Sequence, residues 1–346
     1  MTKSLSIVLC AGVLLGATEC AHADASADWQ QIQAMDTHGP SGQFKTREEA
    51  QAGALEYLAK QEEALGAFIT RYPDDQRSID AKFRLAHLLA TRADLEQKSY
   101  DRHAADVILD ELAKEPAMKS RQADVAFARV SIFMQRVDAV TGENRDTLLE
   151  KARAFAKEYP DDRRVAPLLA EVASAFDGEP KTARSLLEQA RPKAQTQELR
   201  SRIDDDLKRI ALLGKPLEMQ WTSVQGNRID LRKLRGKVVL IYFFASWSAP
   251  AMYELDWVKH LAARSSAVQA LGICLDNDPV AVPALLADRG VQWPVYCDGR
   301  GWQGELVRSL GINAIPDLWI VDRDGILRTL DAKQDAEALI DGADRE

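Results

Sequence analysis

Apolar and polar positions keep two different rhythms along this chain. From Thr46 to about Leu213 apolar residues recur at helical spacing with charged residues between them. Leu58, Leu65, Phe68, Ile69 and Tyr72 fall on one face of the first predicted helix. Thr46 with Glu49 makes a capping box at its start, where two side chains satisfy free backbone N–H groups. Tyr72-Pro73-Asp74-Asp75 ends it, because proline cannot donate and the aspartates can cap the next helix. Further amphipathic helices are predicted over residues 79–95, 125–140 and 165–176. Beyond Gly214 the rhythm changes. Val238–Phe244 is an unbroken apolar run rich in β-branched and aromatic residues, the mark of a strand buried on both faces. A β-hairpin is predicted before it, over 217–231, and a helix after it, over 252–264. Next come a strand at 268–276, a helix at 279–289, a short strand at 291–298 and a helix at 302–310. Two last strands flank the turn signal Asp324-Gly325.

The helical half repeats its punctuation. Phe68 to Arg77 parallels Phe155 to Arg164, each with Tyr-Pro-Asp-Asp at its centre. Helix stops at Pro73, Pro116, Pro160 and Pro192 lie 43, 44 and 32 residues apart. That spacing suits stacked helical hairpins, and an irregular helical bundle is the alternative. The pattern resembles tetratricopeptide-like repeats over roughly residues 46–213. Stacked hairpins leave a groove of the kind that takes peptides or partner helices. The charged residues of this half read as a mostly solvated face. Leu213-Gly214-Lys215-Pro216 marks the expected boundary to the second domain, residues 214–346.

Length and charge narrow the function. The 346 residues suffice for two or three domains, and a net charge of -8 argues against a nucleic-acid surface. Lys3 precedes an apolar run from Leu5 to Ala17, and Ala21-His22-Ala23 supplies an A-x-A site. Residues 1–23 therefore read as a signal peptide cleaved after Ala23, giving an exported, periplasmic protein with no membrane span after cleavage. Lipidation at Cys20 is disfavoured by Glu19 directly before it. Residues 24–45, with Gly39-Pro40-Ser41-Gly42, read as a flexible lead-in. Cleavage would remove Cys10 and Cys20 and leave Cys274 and Cys297, an arrangement that invites a disulfide in an oxidising compartment. No cluster has metal-ligand spacing and no phosphate-cradling glycine loop occurs, so neither metal nor cofactor is expected.

The turn after the apolar strand carries a resemblance. Gly236, Lys237, Ala245, Ser246, Trp247, Pro250 and Glu254 match the active-site segment of TlpA/ResA-like thiol–disulfide oxidoreductases of the redoxin (AhpC/TSA) type. Leu231 to Lys237 resembles the family's lead-in, and Gly311 to Leu327 its closing strand pair. The resemblance covers about residues 214–340. It implies an α/β thioredoxin-like fold with a central insertion, joined to the N-terminal all-α repeat domain. It also implies a cis Ile315–Pro316 bond beside the redox turn, with backbone groups there offered to an extended peptide. The binding surface implied by the family comprises Trp247, Ser248, Ala249, Pro250, Glu254, Ile315 and Pro316.

The two catalytic cysteines of that family are Ser248 and Ala251 here. Disulfide exchange needs an attacking thiolate and a resolving thiol, so the cycle cannot run at this turn. Serine catalysis would need a nearby base, and His260 stands about 18 Å along the helix. Trp221, Trp257, Trp293, Trp302 and Trp319 read as core or half-buried packing residues. Three readings are open. The first is a redox-inactive module that binds a protein or peptide of the cell envelope, on a helical scaffold. The second is an oxidoreductase whose chemistry has moved to Cys274 and Cys297. The third is an assembly protein acting through its repeats. For the two cysteines the expectation is adjacent parallel strands about 4.8 Å apart, within disulfide reach if they share a face and register. Two buried free thiols are the alternative.

Overall fold

A computed structural model describes residues 11–37, 39–40, 44–96, 99–135, 144–176, 178–330, 332 and 336–343. Packing divides the chain into two compact units, residues 1–159 and 160–346.

The first unit is helical: α1 (Ala11–Thr37), α2 (Arg47–Arg71), α3 (Arg77–Glu96), α4 (Ser99–Lys114), α5 (Gln122–Met134) and α6 (Asn144–Glu158). Each of α1 to α4 packs on the next helix, as α5 does on α6. Thr46 caps α2 by accepting from the Glu49 N–H at 3.1 Å, and the Glu49 carboxylate accepts from the Lys45 N–H at 2.7 Å. The reciprocal bond thus lands one residue earlier than a capping box places it.

The lead-in expected over 24–45 is helical as far as Thr37. Ala25, Trp29 and Ile32 are buried against Leu65, Phe68, Ala81 and Leu88, and the Trp29 ring lies 5.1 Å from that of Phe68. Spacings of four and three put these apolar residues on one face of α1. The polar residues around them hide the stripe in the composition. Residues 1–10 of the expected signal peptide and 136–140 of the expected helix at 125–140 lie outside the described residues.

The repeated Tyr-Pro-Asp-Asp phrase folds the same way twice. In both copies the tyrosine N–H donates to the phenylalanine carbonyl at 2.9 Å. Its ring leans on that phenylalanine, at 5.0 Å for Phe68–Tyr72 and 5.4 Å for Phe155–Tyr159. The second aspartate then holds the arginine two residues on. Asp75 takes the Arg77 backbone N–H at 2.9 Å and its guanidinium at 2.6 and 2.8 Å. Asp162 takes the Arg164 N–H at 2.8 Å and its guanidinium at 2.6 and 2.8 Å.

The second unit opens with α7 (Val165–Ser174), α8 (Pro180–Ala190) and α9 (Gln197–Leu212). A two-stranded hairpin comes next, β1 (Gln220–Thr222) against β2 (Arg228–Asp230). Then come β3 (Val238–Phe244), α10 (Ala249–Ala263), β4 (Val268–Cys274), α11 (Val282–Asp288), β5 (Val295–Tyr296), α12 (Glu305–Leu310), β6 (Asp317–Val321), β7 (Leu327–Thr329) and α13 (Ala336–Ala343). The sheet order is β5-β4-β3-β6-β7, with β3, β4 and β5 parallel, β6 antiparallel to β3 and β7 antiparallel to β6. This is a thioredoxin-like α/β fold. β3 is its central strand and is buried at all seven positions, as an apolar run without alternation requires.

The packing division falls well before the chain change at Leu213-Gly214. Helix α9 lies against α12, so α7 to α9 group with the sheet. Gly311, just after α12, makes this possible. Its φ is +72°, and a Cβ there would stand 2.3 Å from the Asp205 carbonyl oxygen on α9. Only glycine accepts both the left-handed backbone and so close an approach.

Candidate functional site

The site forms where β3 runs out into α10. Ala245 to Ser248 make the turn, and the Ser248 N–H donates to the Ala245 carbonyl at 3.1 Å. Ser248 is the N-cap of α10, and its hydroxyl accepts from the Ala251 N–H at 3.4 Å. A serine in that place satisfies one of the free N–H groups of the first turn. Pro250 sits within that turn, where no intrahelical donor is lost. The Ala251 side chain is wholly buried, and its carbonyl accepts from the Tyr242 hydroxyl at 2.6 Å. That bond fastens the first turn of α10 to β3. Burial, helped by the nearby charge of Glu254, pushes the Tyr242 phenol well above its usual range and keeps it a neutral donor.

The pairing of Phe243 with Asp317 sets Pro316 opposite Phe244, at the end of β3 from which the turn departs. The Ile315–Pro316 bond is cis. Trp247 is 56% exposed and Trp302 40%, with ring centroids 6.3 Å apart. Trp302 therefore stands somewhat further out than core or half-buried packing: its short 3-10 turn leaves the ring on the surface beside Trp247. Of the other tryptophans assigned to packing, Trp221, Trp293 and Trp319 are buried and Trp257 is half-buried. Glu254 is half-buried on the following turn of α10.

Beneath the turn lies a carboxylate that the sequence did not single out. Asp276 is buried and accepts from the Ser246 N–H at 3.0 and 3.2 Å and from the Ser246 hydroxyl at 3.0 Å. Its other face takes the Cys274 thiol at 3.2 Å. Cys274 ends β4, and the register that pairs Gly272 with Val295 and Ile273 with Tyr296 carries on to Cys297. Both cysteines are free thiols, Cys274 buried and Cys297 half-buried. The Cys297 thiol donates to the Asp276 backbone carbonyl at 3.4 Å, so both thiols bond to that one residue. The neighbouring Cys274 thiol holds the Cys297 thiol below its ordinary range, against desolvation. The nearness of Cys297, followed by burial, drives the Cys274 thiol far up.

A second feature missed from sequence holds the cis-proline loop. Asp206 on α9 accepts from the Asn313 side-chain amide at 2.9 Å and from the Arg209 guanidinium at 2.9 Å. Arg209 also lies 3.6 Å from the Asp317 carboxylate, which accepts from the Trp319 indole at 3.0 Å. Asp206 and Arg209 are 11% and 12% exposed, so these α9 side chains depart from the mostly solvated face expected of the helical half. The only sequence signal was the i, i+3 spacing of Asp206 and Arg209, which is also common on exposed helices.

Residues 214–344 match the Redoxin family model. The chain is similar to thiol-disulfide oxidoreductase ResA of Bacillus thuringiensis subsp. konkukian (strain 97-27), at 25% identity over 121 residues, 34% of this chain and 68% of that protein. ResA of Bacillus subtilis (strain 168) is 23% identical over 107 residues, 30% of this chain and 57% of that one. A solved thiol:disulfide interchange protein of the thioredoxin family from Chlorobium tepidum TLS is 23% identical, with 38% of this chain and 95% of that one covered and a TM-score of 0.32. The C-terminal region is thus a thioredoxin-like redoxin domain related to thiol-disulfide oxidoreductases.

Proposed function

We propose that the protein is exported and that its redoxin-type domain binds an extended peptide segment of a partner without exchanging disulfides at the 248–251 turn. The observation that carries this reading is the use made of the two positions where the relatives' family has sulfur. The Ser248 hydroxyl is spent on capping α10, and Ala251 is a buried methyl under the turn. Neither supplies a thiolate, and an alanine cannot resolve a mixed disulfide. What remains is a docking surface. The Trp247–Trp302 pair offers exposed aromatic area of the kind that dominates peptide binding. The loop around Ile315 and Pro316 leads into β6 opposite the end of β3, from which the turn departs. The N-terminal helical hairpins serve as scaffold. Export rests on the basic-apolar-small pattern of residues 1–23. Cleavage after Ala23 would retain the buried stripe Ala25, Trp29 and Ile32.

The test uses two probes in a chain with all four cysteines changed to Ala. Thiol-blocked insulin B chain should bind, and Trp247→Ala should weaken binding roughly tenfold or more, the usual cost of truncating an interface tryptophan. Insulin disulfides should not be reduced in that background. Adding Ser248→Cys with Ala251→Cys should confer reduction that neither change gives alone. Turnover without the added cysteines, or binding indifferent to Trp247, would refute the reading.

A further inference from the structure

We propose that Cys274 and Cys297 form a second, relocated dithiol centre that exchanges with disulfides, with Cys297 attacking and Cys274 resolving. The site goes beyond the binding role and lies outside the 248–251 turn.

Three observations assign the roles. The first is register. Continuing the β4–β5 pairing sets the two residues side by side on parallel neighbours, and both thiols donate to Asp276, Cys274 to its carboxylate at 3.2 Å and Cys297 to its backbone carbonyl at 3.4 Å. Neighbouring strands stand about 4.8 Å apart, inside the Cα separation that a disulfide spans. The second is unequal burial. Cys274 is 2% exposed, whereas Cys297 sits half-buried at the mouth of a loop. An incoming disulfide can reach only Cys297, and Cys274 can reach only Cys297. The third is a proton acceptor for the inner thiol, the Asp276 carboxylate at 3.2 Å.

The loop is built close around this centre. Gly299 has φ +72°, and a Cβ on it would stand 2.9 Å from Pro279 Cδ. The segments on either side of the two cysteines therefore close over one another. The loop after Cys297 runs on to Trp302, which faces Trp247. A partner held on the aromatic pair would present its own disulfide near Cys297.

The exchange balances without a metal or cofactor. The Cys297 thiolate attacks one sulfur of a dialkyl disulfide. The partner's S–S bond breaks, a mixed disulfide forms and one partner thiolate leaves. Cys274 gives its proton to Asp276 and attacks the Cys297 sulfur. The bond from Cys297 to the partner breaks, and the second partner thiolate leaves and takes up a proton. One disulfide is reduced to two thiols while the Cys274–Cys297 dithiol is oxidised. A small dithiol runs the sequence backwards.

The experiment uses the full chain with Cys10→Ala and Cys20→Ala, so that only this pair remains, and oxidised glutathione as the probe. Wild-type positions should lose both thiols together, and peptide mapping without reductant should recover a Cys274–Cys297 cross-link that dithiothreitol removes. Cys274→Ser should stop at a glutathione adduct on Cys297. Cys297→Ser should leave Cys274 unmodified over the same time. Asp276→Asn should slow resolution of the Cys297 adduct at least tenfold, read separately from the rate at which the adduct forms. Two thiols that survive in the native chain but cross-link once it is denatured would overturn the proposal. So would adducts that form equally on either cysteine. Binding of thiol-blocked insulin B chain to the same samples is read separately, so failure here leaves the docking reading standing or falling on its own result.

Discussion

Removing the Asp206 carboxylate should loosen the second unit by a predictable amount. The side chains of Asp206, Arg209 and Asp317 are 11%, 12% and 10% exposed, so water replaces little of what is lost. Asp206→Ala deletes two charge-assisted hydrogen bonds, from Asn313 and from Arg209. At about 1.5 kcal/mol each the loss is about 3 kcal/mol. Arg209 keeps Asp317 at 3.6 Å, which holds the figure at the low end of the roughly 3–5 kcal/mol for stripping one partner from a buried pair. Asp206→Asn retains an acceptor without the charge and should cost about half as much. Urea unfolding followed by tryptophan fluorescence suits the measurement, because six of the seven tryptophans lie in the second unit and only Trp29 in the first. The same variant should weaken binding of thiol-blocked insulin B chain, since Asn313 begins the loop that ends at Pro316. A loss under about 1 kcal/mol for Asp206→Ala would mean that the network is solvated and does not hold the loop.

Two further outcomes rest on local geometry and on charge. Gly311→Ala should cost roughly 3 kcal/mol, from left-handed strain plus a clash with the Asp205 backbone. Gly290→Ala, at φ +65° with nothing within 4 Å of a Cβ, should cost only about 1 kcal/mol, and equal losses would deny the close approach of α9. Alkylation of Cys297 by iodoacetamide should persist to lower pH than that of a free cysteine peptide, because its lowered pKa keeps the thiolate until the pH falls through it. The Cys274 thiol and Gly299 N–H lower that value, while burial, Asp276 and Asp298 raise it, so Cys274→Ala should move the midpoint up. A midpoint no lower than the peptide's would refute the thiol pairing.

What could be read in advance was whatever a short stretch encodes by itself. Val238–Phe244 is apolar at every position, and only a central strand buries every position. The helical rhythm of α2 and α3 is likewise local, as is the Asp-x-Arg clasp that closes each Tyr-Pro-Asp-Asp phrase. What escaped were facts about partners far away in the chain. Nothing near Asp206 indicates that residue 313 will come to lie against it. Trp302 was expected as core or half-buried packing, and at 40% exposure on its 3-10 turn it stands somewhat further out than that. The α1 stripe was hidden because a few apolar residues in a mostly polar stretch barely raise its mean hydropathy, yet at spacings of four and three they suffice to dock a helix. The packing division at 159/160 is likewise set by distant contacts. A glycine and a proline mark the change of backbone at Leu213-Gly214, while α9 makes its contact with α12, far along the chain.

The turn and the dithiol are linked through one side chain, and that linkage gives the substitutions at 248 and 251 a physical setting. Asp276 takes two hydrogen bonds from Ser246, one residue before Trp247, and one from Cys274. A carboxylate has lone pairs enough for all three, so the turn and the thiol are both satisfied while Cys274 is reduced. Once Cys274 is bonded to Cys297 its donor is gone, and the buried carboxylate then rests on the Ser246 N–H and hydroxyl alone. Oxidation of the pair as proposed would therefore act on the segment that carries Trp247 without any sulfur in the turn itself. Such coupling needs no catalytic cysteine at 248. It needs only the carboxylate between strand end and turn, and that is where Asp276 stands.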